Sequence, residues 1–171
     1  MIPGEQLTYV ISGSFKFKPE IDETFDEFQD NGIKVLAPAK GWLFLPRHRL
    51  IRIEEESLRL LPAERDMKPD NIELEFLRLQ KQAHFSYLFN SEDYVGISAA
   101  LEIGAAMVNA ISGEKPIYAH KPIDIDSMLK WQGWENGGQL ELLRQHVRVV
   151  PIPEIYEDYC EYTKEKNSRK D

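Results

Sequence analysis

The start of the chain has the pattern strand, helix, strand, and this order constrains the fold more than any other feature of the sequence. Residues 8–12 are rich in β-branched side chains, and apolar residues at helical spacing follow over 19–28. Asn31 and Gly32 are typical of a helix end, and residues 33–36 form a second apolar run. Two strands joined by a helix within roughly 30 residues predict a parallel βαβ unit with a right-handed crossover.

The same alternation continues along the chain. Three more strands are predicted, at 84–89, 116–119 and 147–150, and three more helices, at 71–83, 98–111 and 152–166. We therefore predict an α/β fold, with a flavodoxin-like or Rossmann-like doubly wound sheet of about five mostly parallel strands and helices on both faces.

We expect residues 1–171 to form a single domain, because this length suits one hydrophobic core. The signal is weak over 39–70, where short strands at 42–45 and 50–53 suggest an excursion or a lid. The charged tail at 164–171 is predicted to fray.

Charge and composition exclude several kinds of partner. The net charge of −8 argues against binding to a nucleic acid polymer or to an anionic membrane, and no apolar run approaches the length of a membrane span. The single Cys160 cannot form an internal disulfide, which favours a reducing, cytoplasmic setting. The four histidines lack metal-ligand spacing, so we expect neither a metal nor another cofactor.

The loops that follow the first and third strands are the predicted place of a binding site. In doubly wound sheets, ligands bind beyond the carboxyl ends of the strands. The loops at 12–15 and 90–98 should therefore converge there. The first loop contains Ser12, Gly13, Ser14 and Phe15, and such Gly/Ser turns can hold a sugar or a phosphate through their amides and hydroxyls.

Glu102 is the strongest candidate for a catalytic residue. It lies in the first turn of the predicted helix 98–111 or just past it. The positive end of the helix dipole favours an ionised carboxylate there, and such a group can act as a nucleophile on an electrophilic carbon. The alternative is that Glu102 is a solvent-exposed residue near a helix start.

Three short motifs follow the predicted framework: Ile11-Ser12-Gly13-Ser14-Phe15, Gly96-x-Ser98-x-x-Leu101-Glu102-Ile103-Gly104, and Lys115-Pro116-Ile117. Together they resemble the nucleoside 2-deoxyribosyltransferase superfamily, which includes a branch that hydrolyses deoxynucleoside 5′-monophosphates, and the longer motif around Glu102 is similar to a poorly characterised branch. The resemblance implies that Glu102 attacks the anomeric carbon and forms a glycosyl-enzyme intermediate. It further implies that Ser12, Gly13, Ser14 and Phe15 contact base and sugar, while Gly96 and Ser98 hold the sugar or its 5′-phosphate.

Cleavage of an N-glycosidic bond also needs an acid that protonates or hydrogen-bonds the departing base. Glu73, Glu75 and Asp93 are the candidates, each with the alternative of being a solvated carboxylate. Transferases of the superfamily carry an Asp six residues before the nucleophile, where this chain has Gly96.

The leading hypothesis is an enzyme that cleaves the N-glycosidic bond of a small nucleoside or nucleotide, as transferase or hydrolase. The alternatives are a non-catalytic nucleotide-binding or signalling module on the same fold, and a structural interaction domain. The resemblance implies a homo-oligomer. Helix 98–111, which is apolar or small nearly all round, is predicted to pack on a second subunit unless 42–70 or the C-terminal helix covers it.

Overall fold

A computed structural model of the chain describes residues 6–40, 42–45, 49–52, 66–124, 126 and 138–168. Five of the described strands form one parallel sheet: β1 (Thr8–Gly13), β2 (Lys34–Val35), β3 (Phe85–Phe89), β4 (Ile117–Ala119) and β5 (Val147–Arg148). The described helices around it are α1 (Lys18–Asp30), α2 (Pro69–Gln80), α3 (Ile97–Ile111), α4 (Gly138–His146) and α5 (Ile155–Ser168). Short 3-10 helices lie at Phe15–Phe17, Ser91–Asp93 and Ile152–Glu154.

The strand order of the sheet is β2-β1-β3-β4-β5, and every pairing is parallel. The register places Tyr9 opposite Phe85 and Gly13 opposite Phe89. The chain first moves outward from β1 to β2 and then returns past β1 to β3. This reversal is the topological switch point of a flavodoxin-like sheet, where ligand sites form beyond the strand ends. The predicted doubly wound α/β fold is confirmed.

Helices cover both faces of the sheet because apolar side chains alternate along its strands. On one face Tyr9, Tyr87 and Tyr118 pack with Phe28 of α1 and Ile155 of α5. The opposite face carries two further clusters. In one cluster Val10 packs with Phe76 of α2. In the other Leu88 packs with Ile103 and Met107 of α3 and with Leu143 of α4.

A small antiparallel sheet lies between β2 and α2 in the sequence. Its strands are Trp42–Leu45, Arg49–Arg52 and Asp66–Met67, in that spatial order, and the middle strand contacts α2. The prediction of short strands within the 39–70 excursion is confirmed for the first two. The third was not predicted, since its two residues carry no apolar pattern.

Several predicted boundaries were wrong in detail. α2 begins at Pro69 after Lys68, so Asn71 lies inside the helix. α3 begins at Ile97 after Gly96, and Ser98 is therefore the second helical residue. α4 was not predicted, and α5 continues to Ser168 through part of the tail expected to fray. No helix within the described ranges is long and apolar enough to cross a membrane.

Candidate active site

A cleft opens at the carboxyl edge of the sheet, beside the ends of β1 and β2. Its space, open mouth included, amounts to about 540 Å³. The lining comes from β1, the β1–α1 segment, the loop after β2 and the helices α2 and α3: Ile11, Gly13, Phe15, Lys18, Ile21, Asp22, Pro38, Ala39, Ile72, Phe76 and Glu102. The cleft therefore lies at the carboxyl edge of the sheet, where such folds bind ligands, but on the β2 side of β1, and its lining residues include none from the predicted loop at 90–98.

Glu102 is the acidic residue that α3 contributes to this cleft, and it is buried, with 8% of its surface exposed. Burial raises its pKa to about 8, the Ser12 hydroxyl lowers it, and the negative charge of Glu73 raises it further. Glu102 lies in the second turn of α3, beyond the reach of most of the dipole stabilisation. The prediction of an ionised carboxylate is therefore wrong at neutral pH, and so is the alternative of a solvent-exposed one.

Ser12 and Glu73 are the two side chains that shift the pKa of Glu102. Ser12 is fully buried at the end of β1, and within the described residues its Oγ has no hydrogen bond of normal geometry. Burial also raises the pKa of Glu73, although the Ser98 hydroxyl lowers it, and one buried Glu73 oxygen has no partner in the described part of the chain. Hydrogen-bonding capacity is thus left unused around Glu102, as expected where a polar ligand binds.

The other predicted site residues divide into two groups. Gly13 and Phe15 line the cleft, while Ser14, Gly96 and Ser98 do not line it. Gly13 forms a wall that admits no side chain, because a Cβ there would lie 2.9 Å from Ile21 Cδ1 and 3.0 Å from Phe89 Cβ.

Of the two candidates for the second acid whose side chains the structure describes, Glu73 is the one that interacts with Glu102. Glu75 is on the exposed side of α2 and pairs with Arg78 at 3.4 Å. The side chain of Asp93 lies outside the described part of the structure.

The two predicted loops converge as expected. Lys16 of the first loop forms an ion pair with Glu92 of the second, with Nζ and Oε2 2.9 Å apart. A Cβ on Gly96 would lie 3.4 Å from Ser14 Cβ, so the loops are also close at their bases. Glu92 adopts a φ of +53°, a left-handed conformation that is uncommon for residues other than glycine.

Sequence reasoning missed the Lys18–Asp22 ion pair, which lines the cleft with Nζ and Oδ2 2.5 Å apart. Its signal in the sequence was the i, i+4 spacing of opposite charges at a helix start. It also missed Ile72 and Phe76, which give the cleft an apolar wall. Their periodicity predicted core positions but not that they border a ligand site.

Lys115, part of a motif that carries the resemblance, has a structural role. Its Nζ donates hydrogen bonds to the carbonyls of Gln80, Lys81 and Ala83, at 3.3, 2.8 and 2.7 Å. These carbonyls end α2, where backbone acceptors lack partners within the helix and a cation opposes the negative end of the dipole. Lys115 therefore fixes the end of α2 against the start of β4.

The arrangement combines an apolar wall, a neutralised ion pair, and a buried and a half-buried carboxyl group whose pKa values are both raised. Such pairs are typical of acid–base chemistry. Within the described ranges no cluster of His, Cys, Asp and Glu could hold a metal ion. Comparisons of the sequence and structure with models of protein families, with curated proteins and with solved structures found no match.

Proposed function

We propose that this protein cleaves the N-glycosidic bond of a nucleoside or nucleotide, with Glu102 as the nucleophile and Glu73 as the second acid. The observation that carries the proposal is a buried Glu102 that lines a cleft at the carboxyl edge of the sheet and interacts with Ser12 and Glu73. The motif resemblance around Glu102 supplies the reaction class, and the pair of carboxyl groups supplies the groups that this reaction needs.

The raised pKa of Glu102 defines the proton movements of the proposed reaction. Glu102 must lose its proton before it can attack, and Glu73 is the neighbouring group that can receive it. Glu73 then protonates the departing base as the carbon–nitrogen bond breaks, and Glu102 bonds to the anomeric carbon. Water, or a second base, attacks the same carbon and gives its proton to the Glu73 carboxylate, while the bond between the carbon and Glu102 breaks and releases Glu102 as a carboxylate. Positive charge that develops on the sugar favours the ionised form of Glu102 during the reaction.

The lining of the cleft suits the two parts of such a substrate. Phe15, Ile72 and Phe76 offer apolar surface for a planar base. Lys18 and Asp22, which line the same cleft, offer polar groups for the sugar.

The test is release of free base from a panel of deoxynucleosides and their 5′-monophosphates. We expect release by the wild-type protein and a loss of several orders of magnitude in Glu102→Gln. Glu75→Gln is the matched control, because Glu75 lies on the exposed side of α2 and outside the cleft. The proposal fails if a folded wild-type protein releases no base from any substrate, or if Glu102→Gln retains the wild-type rate.

One observation favours a second function. At neutral pH a protonated Glu102 can donate and accept hydrogen bonds, as a binding group without turnover does. A nucleotide-binding module would show a ligand-induced rise in melting temperature without release of base.

A further inference from the structure

An ion pair between a lysine and an aspartate lies in the wall of the cleft. Lys18 Nζ and Asp22 Oδ2 are 2.5 Å apart, and the two side chains are 27% and 30% exposed, respectively. Both residues line the cleft. Within the described residues, this contact is the only hydrogen bond of the Asp22 side chain. The half-buried carboxylate therefore retains capacity to accept hydrogen bonds from a ligand.

Helix stability explains this pair poorly. Lys18 is the first residue of α1, where the positive end of the helix dipole disfavours a cation. The more stabilising order of such a pair places the acid four residues before the base, and here the base comes first. Phe17, which precedes the helix, supplies no side-chain cap that would offset this cost. The position of the pair in the cleft wall instead indicates a role in ligand binding.

The proposed reaction leaves few side chains as partners for the hydroxyl groups of a sugar. Three of the described lining residues have polar side chains: Lys18, Asp22 and Glu102. Glu102, as the nucleophile, faces the anomeric carbon, which is part of the sugar ring itself. The ring therefore lies in the cleft, and its hydroxyl groups need partners there in place of water. Among these side chains, Lys18 and Asp22 remain to supply them.

The chemistry of the two side chains distinguishes between sugars. An ionised carboxylate only accepts hydrogen bonds, and its two oxygens can accept from two donors on adjacent atoms. Ribose has such donors in its 2′ and 3′ hydroxyl groups, and an acidic residue binds the 2′ hydroxyl in dinucleotide sites. 2′-Deoxyribose lacks the first of these donors. The Lys18 ammonium only donates, and it holds Oδ2 of Asp22 while it balances a half-buried negative charge.

We propose that Asp22 accepts hydrogen bonds from the 2′ and 3′ hydroxyl groups of the substrate and makes this protein selective for ribosyl over 2′-deoxyribosyl compounds. Lys18 is the positioning residue that holds the carboxylate. This inference rests on the proposed function, because cleavage at Glu102 is what places a sugar in the cleft. It differs from the motif resemblance, which implies a 2′-deoxyribosyl group.

Calorimetric binding to the Glu102→Gln protein measures this selectivity without turnover. The ligands are adenosine, guanosine, cytidine and uridine, each compared with its 2′-deoxy counterpart. For the base that binds best, the dissociation constant of the ribonucleoside should be roughly 10- to 100-fold lower, the weight of one hydrogen bond to a charged group. Adding Asp22→Asn should reduce this ratio to below about 3-fold, because an amide accepts at one oxygen only.

The matched control is Asp30→Asn, at the exposed last residue of α1 and outside the cleft lining, and it should keep the ratio. Lys18→Met should lower the ratio, while Lys18→Arg should retain it, since arginine also donates to a carboxylate. A merely structural Lys18 would change the melting temperature and leave the ratio between the two sugars unchanged.

Base release by the wild-type protein from the same nucleosides separates this inference from the proposed function. Tighter binding of ribonucleosides without any release of base overturns the proposed function alone. Release of base together with equal or tighter binding of the deoxynucleosides overturns this inference alone, whether or not the Asp22 variant folds. The inference is also overturned if a folded Asp22→Asn protein keeps the ratio, or if Asp30→Asn loses it. A protein that binds neither kind of nucleoside overturns both.

Discussion

Replacing Glu102 by glutamine should stabilise the protein while it removes the proposed nucleophile. Glutamine has nearly the shape of a protonated glutamic acid but cannot ionise. Glu102 has a pKa that burial raises from 4.5 to about 8. The folded chain therefore holds a proton on this residue over a pH range in which the unfolded chain has already lost it.

The sign and size of the effect follow from this difference. Below pH 4.5 the carboxyl group is neutral in both states, and stability is fully present. Stability then falls as pH rises, up to the folded pKa of about 8. One pKa unit corresponds to about 1.4 kcal/mol, so the total loss is on the order of 5 kcal/mol, and about 3 kcal/mol of it is present at pH 7. Glu102→Gln avoids this loss.

Equilibrium unfolding in urea, repeated across the pH window, measures the prediction. We expect Glu102→Gln to match the wild type near pH 4.5 and to exceed its free energy of unfolding increasingly towards pH 8. Glu75→Gln should follow the wild type throughout, because Glu75 is exposed. Other titrating groups are common to all three proteins and cancel in the differences. If Glu102→Gln is less stable than the wild type at alkaline pH, or if the two keep the same pH slope, Glu102 is not held protonated by burial.

Three further outcomes are expected. First, kcat/KM for base release should fall as pH rises through about 8, because the proposed reaction uses the proton held by Glu102, which passes through Glu73 to the base; a rise over that range would mean that the pair acts without this proton. Second, Ser12→Ala removes a hydroxyl that lowers the pKa of Glu102, so the inflection of the same pH profile should move to higher pH, and an unmoved inflection would contradict this role. Third, Lys115→Met removes the ammonium group that caps α2 and should lower stability by about 1–3 kcal/mol, measured by chemical denaturation. Lys81→Met, on an exposed neighbouring position, is its control, and equal losses in the two variants would count against the cap.

The sheet could be predicted from the sequence because its signals are local. The run at β1 is rich in β-branched residues, and Gly13 at the end of β1 and Gly32 after α1 lie where these elements end. The convergence of the loops that follow β1 and β3 then follows from the parallel topology alone. By contrast, α4 was missed because it is short and begins with Gly138 rather than with a capping residue.

The electrostatics of the candidate site could not be predicted in the same way. The position of Glu102 in sequence predicts proximity to a helix N-terminus, but its pKa depends on burial among α2, α3 and β1. Desolvation of a buried carboxyl outweighs the dipole beyond the first turn. Glu73 and Glu75 are equivalent in sequence, and only the orientation of α2 separates them.

The hydrogen bond from Gln80 Nε2 to the backbone oxygen of Glu102, 2.9 Å long and buried, bears on how the cleft can move. It joins α2 to α3, and Lys115 anchors the same end of α2 to the chain before β4. The two helices that hold Glu73 and Glu102 are thereby tied into one rigid half of the cleft. Adaptation to ligands of different size then falls to the opposite half, the β1–α1 segment with Phe15 and Lys18. We therefore expect ligands of different size to change the width of the entrance rather than the distance between the two acids.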